Sequence, residues 1–153
     1  MDLARESGLI YERVLMRFAD VEEIISWADK VIEQIARPPY WLIRISTDSR
    51  ARVEDLELIL RNHASELTRL ERLKITIREH EITDAPLEET LSRIFTIWCP
   101  VEDIPMPGIG DLPDDVIDLL IYMDCWESEP PKITEEFAGR CKRAFSAALN
   151  TRS

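Results

Sequence analysis

The stretch DVEEIISWADKVIEQIARPP, residues 20–39, constrains the fold more than any other part of the chain. At 100° per residue, Val21, Ile24, Ile25, Ala28, Val31, Ile32 and Ile35 fall on one face, with Glu22, Glu23, Asp29, Lys30 and Glu33 opposite. That period belongs to a helix and not to a strand. Asp20 is placed to accept from the free N–H groups of the first turn, and Glu23 three residues on completes a variant of the capping box. Pro38 and Pro39 end the element, since proline lacks the donor and restricts the residue before it. So wide an apolar stripe has to be buried against other elements.

The rest of the chain supplies them. Leu9, Ile10, Val14, Leu15 and Phe18 predict a first helix ending near Asp20, and Val53, Leu56, Ile59 and Leu60 one that stops near Asn62. Thr83 or Asp84, with Pro86 in the first turn, opens LEETLSRIFTIW, whose Leu87, Leu91, Ile94, Phe95 and Trp98 form a stripe. Asp111 and Pro113 open an acidic helix, and Thr134 caps EEFAGRCKRAFSAAL, with Phe137, Cys141, Ala144, Phe145 and Ala148 facing inward. YWLIRIST at 40–47 and LKITI at 73–77 carry both signals. The first reads better as a helix opened by Pro39, and the second fits either a strand or a helix begun near Ala64. Four prolines hold 100–113 out of regular structure, yet Ile104, Met106, Ile109 and Leu112 are too apolar for a linker, which suggests an ordered, packed loop. No repeat or domain boundary is visible. The expectation is an all-α, single-domain bundle over 1–153 of about six or seven helices, the alternative being α+β with short strands near 40–46 and 72–78.

At 153 residues the chain is long enough to bury a substantial core. No window reaches the ~18 apolar residues of a bilayer span, and the start lacks a secretory pattern, so the protein reads as soluble and cytoplasmic. Cys99, Cys125 and Cys141 are far apart and odd in number, and so read as reduced core residues. There is no phosphate-cradling glycine loop, no Glu-x-x-His pair, no calcium loop and no zinc spacing. His63, after a polar helix end, and His80, in REHEI, read as solvated and not catalytic. No catalytic residue, metal or cofactor is expected.

Charge is the informative quantity. The net value is −11, but residues 100–136 hold 11 acids against Lys132 alone, while residues 137–153 carry four bases and no acid. Such a field disfavours nucleic acid and anionic lipid and favours a basic protein or a cation. On a helical wheel Asp111, Asp114, Asp115, Asp118, Tyr122 and Cys125 share one side, with Val116, Ile117, Leu119, Leu120 and Met123 on the other. The helix dipole accounts for acids in the first turn. It does not account for Glu102, Asp103, Glu127 and Glu129, which extend the charge past both ends. Asp124 falls on the apolar side, so either the helix frays before Trp126 or a buried carboxylate there has a partner. Tyr122 and Trp126 would supply aromatic anchors for a partner, whereas Trp27, Trp41 and Trp98 read as core.

VEEIISWADKVIEQIARPPYWLIRIS, residues 21–46, with its Trp27-Ala28-Asp29 helix, proline pair and short apolar segment, resembles small bacterial proteins of the toxin-immunity type. That resemblance implies binding and blocking of a cognate toxin, and carries no functional residues over. The leading expectation is an intracellular inhibitory protein engaging a basic partner through Glu102, Asp103, Asp111, Asp114, Asp115, Asp118, Tyr122, Trp126, Glu127 and Glu129. The alternatives are a small enzyme or ligand carrier with a pocket under the 100–113 loop, using Asp103, Asp111 and Asp124, or a structural subunit that forms a homo-oligomer through an apolar helix face.

Overall fold

A computed structural model describes residues 1–98, 113–124 and 133–152. Among the described residues there are eight helices and no strand: α1 Leu3–Leu15, α2 Val21–Gln34, α3 Tyr40–Thr47, α4 Val53–Arg61, α5 Arg69–Thr83, α6 Leu87–Trp98, α7 Asp114–Asp124 and α8 Glu135–Asn150. The helical class is as expected. The count exceeds six or seven because both ambiguous stretches are helical, YWLIRIST as α3 and LKITI inside α5. The chain divides into two compact units, Met1–Leu67 and Thr68–Ser153.

In the first unit the capping box of α2 forms as read: the Asp20 side chain accepts from the Glu23 N–H at 2.9 Å, and the Glu23 carboxylate from the Asp20 N–H at 3.1 Å. Helix α1 stops at Leu15, short of the expected Asp20. Arg17 adopts a left-handed conformation, φ 61°, its N–H donating to Val14 O and that of Phe18 to Arg13 O. This is a Schellman ending without the usual glycine, so the sequence carried no stop signal. The Pro39 carbonyl accepts from Leu42 and Ile43 and so opens α3, whereas α2 already ends at Gln34, ahead of the proline pair expected to stop it. Ile24, Ala28, Leu42, Ile45, Leu56 and Leu60 are wholly buried and form the centre of this core with Ile10, Val14 and Val31. At Gly8 a Cβ would lie 2.6 Å from the Ser65 carbonyl oxygen, and the same segment is tied to α1 by the Ser65 N–H to Ala4 O bond of 2.9 Å.

In the second unit α5 begins at Arg69, not near Ala64, because Thr68 is its cap: Thr68 Oγ1 accepts from the Glu71 N–H at 3.2 Å and Glu71 accepts from the Thr68 N–H at 2.8 Å. Asp84, φ 51°, closes α5 and does not open α6; the Pro86 carbonyl instead accepts from Glu89 and Thr90 at the start of α6. Helix α7 likewise opens at Asp114, with the Pro113 carbonyl accepting from the Val116 and Ile117 N–H groups, while Thr134 caps α8 as expected, accepting from the Phe137 N–H at 3.2 Å. Leu70, Leu73 and Ile77 of α5, Leu91 and Ile94 of α6, Val116 and Leu119 of α7, and Phe137, Cys141, Ala144, Phe145 and Ala148 of α8 form one core. The Lys74 ammonium donates to the Thr151 carbonyl and fixes the end of α8 to α5.

Candidate functional site

The acidic helix is amphipathic in the sense expected. Val116 and Leu119 are buried, whereas Asp114, Asp115 and Asp118 are exposed. Steps of four residues carry the exposed face from Asp114 through Asp118 to Tyr122. Asp114 and Asp115 sit in the first turn, where the unpaired N–H groups favour an anion. Asp118 lies beyond that turn and one step of four from Asp114, a like-charge spacing that costs a few tenths of a kcal/mol. Among the described residues no ion pair reaches any of the three.

Tyr122 is 38% exposed, and its ring is 5.3 Å from that of Phe137, which is buried. The Arg140 guanidinium carbon lies 5.2 Å from the Tyr122 ring centroid, within cation–π range. The aromatic expected as an anchor therefore has its inner edge on α8 and a cation of its own chain across it. Arg140 was not among the expected site residues. The signal for it was the base-rich run in EEFAGRCKRAF, but sequence spacing does not reveal which helix that run packs on. Of the other expected partner-binding residues, Glu102, Asp103, Asp111, Trp126, Glu127 and Glu129 lie outside the described residues, as do residues 100–112 of the expected loop and the side chain of Asp124.

His80 departs from the solvated reading, whereas His63 does not. His63 is exposed but stacks on Trp41, centroids 4.4 Å apart and planes 6° from parallel. His80 is half-buried, its Nδ1 2.7 Å from Thr90 Oγ1 and its ring edge-on to Phe145 at 5.7 Å. Thr90 is itself buried. His80 borders a cleft of about 370 Å³ between the end of α5, the start of α6 and one side of α8. Cys141, at the cleft floor, is buried, and desolvation pushes its thiol up from 9.0 to about 11, partly offset by the charge of Arg140. It is a neutral thiol near pH 7.

The Trp-Ala-Asp run of α2 has structural work. Ala28 is wholly buried, and Asp29 accepts from the Ser46 hydroxyl of α3. Among the described residues no three His, Cys, Asp or Glu side chains converge to hold a metal, and no helix is long and apolar enough to cross a membrane. Compared with protein-family models, curated proteins and solved structures, the chain matches none.

Proposed function

We propose that this is an intracellular binding protein of the immunity type, which blocks a basic partner, such as a toxin, through its acidic face. The observation that carries the reading is Asp118: an exposed carboxylate past the reach of the helix dipole, spaced to be repelled by Asp114, with no ion pair among the described residues. A face with that cost is offset when a cationic surface docks on it. Glu102, Asp103, Asp111, Glu127 and Glu129 extend the same sign of charge along the sequence. Charge of this density chiefly accelerates and orients encounter, while Tyr122 supplies apolar area beside it.

The test is to isolate the partner by crosslinking to the full chain and then to compare association rates for the wild type and Asp114→Lys/Asp115→Lys/Asp118→Lys across a salt series. The on-rate should fall by about tenfold or more, and its salt dependence should flatten. An unchanged on-rate, with the variant's helicity intact, would refute the assignment.

A further inference from the structure

The cleft beside His80 is lined by residues other than those of the acidic face of α7 and brings apolar and charged side chains together. Its floor is apolar, formed by Leu87, Ala138, Cys141 and Phe145, and its volume of about 370 Å³ falls in the range that ligand pockets occupy. One polar group is set into it with a defined orientation. Imidazole Nδ1 of His80 is engaged by the buried Thr90 hydroxyl, which leaves Nε2 as the ring's remaining hydrogen-bonding atom. A hydroxyl both donates and accepts, so Thr90 serves either tautomer, and Nε2 can accept from a ligand N–H while Nδ1–H donates to Thr90.

Charge around the rim is asymmetric. Glu81 and Asp84 stand at the α5 end, the latter held there by its left-handed turn, and Lys142 stands on the α8 side. Two carboxylates against one ammonium, in a chain of net charge −11, favour a cationic guest. The apolar floor requires that the cation carry a hydrocarbon or aromatic body.

We infer that the cleft between α5, α6 and α8 binds a small apolar monoamine, its ammonium directed to Glu81, Asp84 and His80 Nε2 and its body laid on Leu87, Cys141 and Phe145. Lys142 opposes the charge of such a guest while its methylene stem covers the body.

Benzylamine, benzyl alcohol and phenylacetate form a probe set of similar ring and different charge, to be titrated into the full-length protein while the His80 and Phe145 ring resonances are followed by NMR. Benzylamine should shift both saturably, the alcohol should bind more weakly, and phenylacetate should leave both in place. Glu81→Gln/Asp84→Asn should weaken benzylamine about fivefold, the loss of two exposed charge contacts, and Lys142→Gln should tighten it by a smaller factor. All three substitutions lie on the exposed surface. Ala138→Phe, which fills the cleft, should abolish the shifts. The assignment is overturned if benzylamine causes no saturable shift at millimolar concentration, if phenylacetate binds as well as benzylamine, or if Lys142→Gln weakens the amine.

Discussion

The two units differ in how many polar side chains they bury. Met1–Leu67 closes mainly over aliphatic residues drawn from regular stripes, with Ser7 and Glu12 of α1 the buried polar side chains among its described residues, and the charged members of its α2 capping box, Asp20 and Glu23, are exposed. Thr68–Ser153 takes polar groups inside with its apolar ones: Glu71, Thr76, Glu79 and Thr90 are all buried. There the hydrogen bonds are part of the core. Thr76 Oγ1 donates to the Arg72 carbonyl at 3.1 Å, and Thr90 is bonded to His80. A stripe tolerates any apolar residue of suitable volume, whereas a buried polar group stabilises only while its particular partner is present.

The largest test of that contrast is Leu42→Ala. Leu42 has no exposed surface and sits in the aliphatic core of the first unit, so truncation should cost about 3 kcal/mol in denaturant unfolding. Next in size is a pH effect in the second unit. The Cys141 thiol ionises near 11 when folded but near 9.0 when exposed, so the unfolded chain releases its proton first. The contribution is therefore whole below pH 9 and is lost as pH rises toward 11, on the order of 2 kcal/mol across that interval. Cys141→Ala lacks this loss, and the stability gap between variant and wild type should narrow over the same range.

A paired comparison of caps follows. Asp20→Ala removes an exposed box and should cost about 1 kcal/mol; Thr68→Ala removes a partner of buried Glu71, which takes a hydrogen bond from Thr68 Oγ1 at 3.1 Å, and should cost about 1.5 kcal/mol. Equal losses would break the contrast between the units. Smallest is Arg52→Ala. Its 3.5 Å contact with Asp55 is largely solvent-exposed, and less than about 0.5 kcal/mol should be lost.

The same contrast explains what was legible beforehand. Stripes with their polar residues outside, α2 and α4 above all, could be read directly from the period. Helix α5 could not, since Glu71, Thr76 and Glu79 lie buried beside Leu73, Ile75 and Ile77, and the period is blurred on both faces. Helix ends were misread where an unusual residue performed the ending: Arg17 in place of a glycine, Asp84 closing one helix while looking like the opening of the next. On α7, the exposure of Asp114, Asp115 and Asp118 followed from the wheel, whereas Arg140 over Tyr122 and Thr90 on His80 are meetings between separate helices that no local spacing encodes.

The close approach at Gly8 sets a rule of a different kind for this chain. At most core positions a substitution is graded by volume, and at most surface positions it is nearly free. At position 8 the obstacle is the Ser65 carbonyl, which belongs to the backbone and cannot rotate aside as a side chain would. Alanine and serine meet it with the same atom as tryptophan. A saturation scan of the first unit should therefore show a two-valued column there, with glycine on one side and the other nineteen residues together on the other.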